Sequence, residues 1–210
     1  MNKVKYIGLD ISTSIIGICF LDNNYSLIDL QNINLKKIKC IFEKTIYTKN
    51  LLEEYKEKYD FEKDIVLSVE EAFQSFRKGF SSAKTLSQLS KFNGIVSYLS
   101  YTTFKTKPIY INVNSARKSL NIKILKDLDK NTKEQVFDWV RDNIEFNWPE
   151  KTLKSGPNKG LVKFDESCYD MSDAYVICKA LKYNYESNNG KKTWFFRKKY
   201  KILFIVKRRV

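Results

Sequence analysis

The sequence predicts an α/β fold, a five-stranded mixed sheet covered by helices. Three observations carry this. Three short apolar, β-branched runs follow one another within the first 33 residues, as in an antiparallel meander. A nearly continuous apolar run, Asp64 to Val69, reads as a strand buried on both faces. Segments of helical periodicity then alternate with strand-like ones to the end of the globular part.

The elements follow in order. Val4 to Asp10, Ile15 to Leu21 and Tyr25 to Ile33 are the meander strands. Phe42 to Tyr59 spaces Ile46, Leu51, Leu52 and Tyr55 as a helix. After the Asp64 strand, Ser82 to Tyr101 is helical, with Ala83, Leu86, Leu89, Ile95 and Leu99 near one face. Pro108 to Val113 is the fifth strand, and Thr132 to Ile144 a helix with Val136, Trp139 and Val140 as its stripe. Residues 151–164, with Ser-Gly-Pro-Asn-Lys-Gly at their centre, form a basic loop or hairpin before the last long helix, Glu166 to Tyr183. From Asn188 to Val210, Lys and Arg alternate with aromatic and β-branched residues. The expected division is therefore a globular domain over 1–186 and a basic C-terminal extension over 187–210, a hairpin in its own right.

Composition narrows the chemistry. The chain is 210 residues long with 43% hydrophobic residues, enough for a buried core. Its formal net charge of +14 makes nucleic acid the first partner to expect and an acidic membrane surface the second. No apolar run is long enough to span a bilayer, and the N-terminal residues lack a signal-peptide core. Cys19, Cys40, Cys168 and Cys178 are widely spaced, as reduced thiols of an intracellular, soluble protein would be. Histidine is absent. That removes Ser-His-Asp and Cys-His nucleophilic sites, histidine-based nucleases and most catalytic zinc sites. Hydrolysis would have to run on carboxylates, lysines, tyrosines and metal ions.

Three acidic positions stand out. Asp10 sits inside an apolar strand, where a lone carboxylate is costly to bury; the bland reading is an Asp capping a turn. Glu70 and Glu71 end the buried Asp64 strand, at the carboxyl edge where ligands gather in α/β sheets. Asp170 and Asp173 lie three apart on one face of the last helix, about 5–6 Å between Cβ atoms, and repel unless a cation compensates. Asp165 and Glu166 read as acids that favour the helix N-terminus. Four oxygen ligands suit Mg²⁺ or Mn²⁺, and two such ions about 3.5–4 Å apart would activate a water and stabilise the leaving oxygen of a phosphodiester.

The ordered set Gly8-x-Asp10-x-Ser12-x4-Gly17, Val69-Glu70-Glu71-Ala72-Phe73 and Asp170-x-x-Asp173-Ala174 resembles the RuvC-type Holliday junction resolvases of the RNase H-like superfamily. The resemblance runs from about residue 4 to residue 183. It includes Ser82 to Gln88 with Asn93-Gly94, similar to that family's dimerisation helix, and the basic segments Asn114 to Lys118 and Lys133 to Val136. It implies a Mg²⁺-dependent endonuclease for four-way junctions, involved in DNA recombination and repair. Asp10, Glu70, Asp170 and Asp173 would be the metal ligands, with Lys118 and Lys133 acting near the scissile phosphate. Phe73 would contact bases near the junction centre, and Arg77, Lys78, Lys84 and Arg117 would hold DNA. It also implies a homodimer through the helix over 82–101, with Leu86, Leu89 and Phe92 as candidate contacts. The enlarged 151–164 segment and the basic tail have no counterpart in the family pattern.

Three other classes compete. Gly-x-Asp-x-Ser-Thr also opens actin-like ATPases and sugar kinases, but these need two such subdomains and a second glycine-rich phosphate loop. A non-catalytic nucleic-acid-binding module would only be weakened by four acids on its binding face. An RNase H-like nuclease acting on other branched DNA or on structured RNA fits the same residues.

Overall fold

The density of β-branched and aliphatic residues between Val4 and Leu21 forms two strands buried on both faces, as a layer sandwiched between helices requires. The computed structural model describes residues 3–72, 83–126 and 129–189. Strands β1 (Val4–Ile11), β2 (Ile15–Leu21) and β3 (Leu27–Asn34) form the antiparallel meander, and helix α1 (Ile41–Lys58) leads into β4 (Phe61–Glu70). Helix α2 (Ala83–Phe104) precedes the short strand β5 (Ile109–Ile111), followed by α3 (Val113–Ser119) and α4 (Thr132–Asn143). A two-stranded ribbon, β6 (Glu150–Thr152) and β7 (Val162–Phe164), leads into α5 (Ser167–Asn189). The main sheet has five strands in the order β3-β2-β1-β4-β5, with β1 antiparallel to β2 and parallel to β4. It is the mixed α/β sheet that the sequence predicts.

Two cores flank it. Ile7, Leu9, Ile11, Leu67 and Val69 face α1 and α2, meeting Leu52, Phe92 and Val96. The alternate residues face α5, α3 and α4, where Cys19, Leu21, Ala116, Val136, Ala174 and Ile177 close the second core. This two-residue alternation sends Asp10 and Glu70 to the α5 side.

Three differences from the predicted elements have plain causes. The Asn114 to Lys118 segment is a helix, α3, because Asn112 caps it by accepting hydrogen bonds from the amides of Asn114 and Ser115. In α4 Phe137 is buried where Trp139 is only half-buried, since Phe137 packs edge-on against Trp148, Phe164 and Tyr169. Helix α5 continues past Tyr183 to Asn189, across the expected 186/187 boundary; the tail from residue 190 onward lies outside the described residues. Cys19, Cys168 and Cys178 are buried free thiols, and Cys40 is an exposed one. Among the described residues, no helix is long and apolar enough to cross a membrane.

Candidate active site

The cleft begins with the turn from β1 to β2. Ser12 donates its hydroxyl to the carbonyl of Ile15 at 2.7 Å and accepts from the amides of Ile15 and Ser14. That local network closes the turn, so Ser12 of the first motif acts on geometry while Asp10 faces the cleft. Parallel pairing of β1 with β4, with Leu9 opposite Val69, then sets Asp10 beside Glu70, and the two carboxyls share a hydrogen bond.

Helix α5 brings the other two acids. It can lie directly on the sheet because Gly8 and Gly17 carry no side chain: a Cβ on Gly8 would meet the Ala174 carbonyl and the Cys178 Cβ, both at 2.5 Å. Asp170 and Asp173 therefore project from the first turns of α5 into the cleft that Asp10 and Glu70 occupy, a space of about 340 Å³. Asp10, Asp170 and Asp173 are 7%, 8% and 4% exposed, so this is a buried acidic cluster.

Two cations hold it. The Arg117 guanidinium donates to Asp173 at 2.9 Å, and the Lys133 ammonium to Asp170 at 3.3 Å. Lys133 is placed by a capping box at the start of α4, in which Asn131 and Glu134 satisfy one another's backbone amides. Lys118, one residue past Arg117, is exposed and does not line the cleft; the α3 turn points it about 100° away from Arg117. Asn93 of α2 lies at the opposite wall and donates to the Glu70 carbonyl at 3.2 Å, which ties the end of β4 to α2. The sequence marks Arg117 as a DNA-holding residue and Asn93 as part of the dimerisation helix; their contacts with Asp173 and with the Glu70 carbonyl are not foreseen in it.

Electrostatics follow from this crowding. Burial pushes the Asp10 carboxyl well above the usual carboxylate range, and the charges of Glu70, Asp173 and Asp170 push the same way. Burial also raises Glu70 and Asp170, with the hydrogen bond from Asp10 opposing in the first and Lys133 in the second. Burial alone would lower Lys133, but Asp170, Asp10 and Asp173 together raise it, so it stays charged. Among the described residues no three His, Cys, Asp or Glu side chains converge closely enough to hold a metal ion as they stand. Each carboxylate is drawn instead to its own partner. Five acids line the cleft, since Glu71 joins Asp10, Glu70, Asp170 and Asp173 there; with two of them sharing a hydrogen bond, they are nonetheless the donor set a hard divalent cation needs.

Of the other predicted residues, Phe73, Arg77 and Lys78 lie outside the described residues. Lys84 is exposed on the first turn of α2. Leu89 lines the cleft and Leu86 is half-buried, while Phe92 is fully buried in this chain's own core and cannot be an intersubunit contact.

No family model and no curated protein matches the sequence. Solved structures do. RuvC of Thermus thermophilus in complex with a Holliday junction substrate has 13% identity and a TM-score of 0.55, covering 87% of this chain and 94% of that one. A second Thermus thermophilus RuvC structure has 13% identity and a TM-score of 0.52, over 87% and 96%. The yeast mitochondrial Holliday junction resolvase has 13% identity and a TM-score of 0.50, over 85% and 78%. Over 87% of its length, this chain has the RNase H-like fold of the RuvC-type resolvases.

Proposed function

We propose that the protein is a structure-selective DNA endonuclease that resolves four-way junctions by hydrolysing phosphodiesters at the cleft of Asp10, Glu70, Asp170 and Asp173. The observation that carries this is the meeting of five carboxylates, these four and Glu71, with two cations in one cleft, on a fold shared with junction resolvases. Asp10, Glu70, Asp170 and Asp173 would hold Mg²⁺ or Mn²⁺. Bound there, such ions supply water activation and charge stabilisation at the leaving oxygen.

The chain's own groups divide the remaining work. Lys133 stands at the rim with its side chain 54% exposed, within reach of a phosphate oxygen while it holds Asp170. Arg117, only 15% exposed, fixes the Asp173 carboxylate from inside. Positive charge at both positions favours the charge that builds on phosphate in the transition state. Phe73 would meet bases at the junction centre, with Arg77, Lys78 and Lys84 on the backbone. A twofold dimer across α2 would present two clefts to opposed strands. Its open face carries Lys84, Lys91, Gly94, Tyr98 and Tyr101, and Tyr98 is 65% exposed.

The test is cleavage of a synthetic four-way junction beside matched duplex, three-way and single-stranded DNA and a folded RNA, with and without Mg²⁺. Paired, Mg²⁺-dependent nicks confined to the four-way junction support the proposal. Preference for three-way DNA or for RNA would move the assignment to another substrate of the same fold.

A further inference from the structure

The ribbon between α4 and α5 is rooted at the edge of the acidic cleft. Lys151 reaches Asp165 at 3.7 Å and Glu166 at 3.2 Å, and Lys36 holds Glu166 from the other side. Glu166 stands one helical turn before Asp170. Phe164 packs on Phe137 of α4, 5.0 Å between ring centroids, and the Cys168 thiol donates to the Pro149 carbonyl. The root is therefore fixed to both helices that carry the cleft's cation and acids.

Beyond the root the ribbon continues into solvent. The ladder pairs Lys151 with Lys163 and Thr152 with Val162, and the Leu153 amide extends it by donating to Leu161 at 2.9 Å. Gly156 and Gly160, with φ of 82° and 91°, supply the left-handed backbone that the tip needs. From Glu150 to Leu153, the last rung, the paired ribbon spans about 10 Å at about 3.3 Å per residue. Its surface is unusual for a solvated hairpin. Lys154, Lys159 and Lys163 are exposed and have no carboxylate partner among the described residues, and Leu161 and Val162 are 56% and 53% exposed. Lys163 stands directly opposite Lys151, whose charge Asp165 and Glu166 already meet.

We infer that this ribbon is a DNA-contacting arm that enters a groove of the duplex beside the scissile phosphate, an inference that rests on the nuclease reading above. A two-stranded ribbon fits a major groove about 12 Å wide, lysines meet the flanking phosphates, and exposed aliphatic groups meet thymine methyls. A reach of about 10 Å corresponds to about three base pairs at about 3.4 Å each. The cleft cuts, and the arm selects which duplex limb lies across it.

The experiment compares the parent, a Lys154→Gln/Lys159→Gln/Lys163→Gln variant, and a variant in which residues 153–161 are replaced by Asn-Gly. Each is footprinted with hydroxyl radical on a four-way junction in EDTA, and binding is titrated with salt. The parent should protect about three base pairs of one limb next to its cleavage site. Both variants should lose that patch and bind at least tenfold more weakly. The slope of log affinity against log salt should fall by about 2.7 in the glutamine variant, for three lysines, and by about 1.8 in the shortened one, which loses Lys154 and Lys159. An unchanged footprint and slope in both variants would overturn the arm, while Mg²⁺-dependent junction cleavage by the parent would leave the nuclease reading standing. A parent that neither binds nor cuts branched DNA would remove both. The glutamine variant keeps the ribbon's length, so a folding defect in the shortened one leaves the test intact.

Discussion

The backbone carbonyl of Asp170 occupies the place where a side chain on Gly17 would stand: a Cβ on Gly17 would lie 2.0 Å from that oxygen. Gly17 is also the strand partner of Asp10. The missing side chain thus lets α5 descend until Asp170 and Asp10 share one cleft. Gly17→Ala should lift the start of α5, lower stability by about 1–3 kcal/mol as an overpacked core does, and reduce cleavage at least tenfold. Gly94→Ala is the control, because nothing lies within 4 Å of a Cβ there. It should be neutral or stabilising by up to about 1 kcal/mol. Thermal melts beside junction cleavage check both.

Replacing the acids separates chemistry from binding. Asp10→Asn, Glu70→Gln, Asp170→Asn and Asp173→Asn should each lower the single-turnover rate at least about 10³-fold, while junction affinity is kept or improves as a repelling charge goes. An Asp10→Asn protein that cuts at the parental rate would end the assignment.

A pH dependence follows from the buried pair. Burial raises Asp10 in the folded chain above its unfolded value, so its contribution to stability is full below the ordinary carboxylate range and is lost as pH rises through the raised value. In EDTA, Asp10→Asn should therefore melt higher than the parent near pH 8, and the gap should close toward pH 4. Each kcal/mol corresponds to about 2–4 °C in a chain of this size. Mg²⁺ should raise the parent's melting temperature more than the variant's. An equal gap at both pH values would show that the carboxyl is not strained.

The cations make distinguishable predictions. Arg117→Ala and Lys133→Ala should slow cleavage of bound junction by about 10²-fold, since each sits on an acid of the cleft. Lys118→Ala, exposed and away from the cleft, should weaken binding and its salt dependence while sparing the rate at saturating protein. A rate loss confined to Lys118→Ala would return the role to that residue.

Dimerisation can be tested on the open face of α2. Gly94→Glu and Tyr98→Glu place charge where this chain alone leaves space, so the fold should survive while a dimer should not. Sedimentation at micromolar protein, with and without junction DNA, reads the outcome. A parent that is monomeric under both conditions would count against the dimer.

Much of this architecture is local in origin and therefore legible in the chain. Apolar runs in β1 and β4 and the i, i+3 spacing of Asp170 and Asp173 made the sheet and the last helix readable and marked the four acids as candidates. Family-like order added the expectation of metal and junction DNA. Tertiary structure decided what depends on direction and contact. Arg117 and Lys118 are neighbours in sequence, yet a helical turn of about 100° per residue sends one to Asp173 and the other to solvent. Phe92 is as apolar as Leu89, but the sheet covers the first and leaves the second at the cleft. Gly17 is only a motif glycine within a strand until α5 is seen resting on it. A sequence records period and residue type; which side chain meets which charge is settled only when elements far apart in the chain pack against one another.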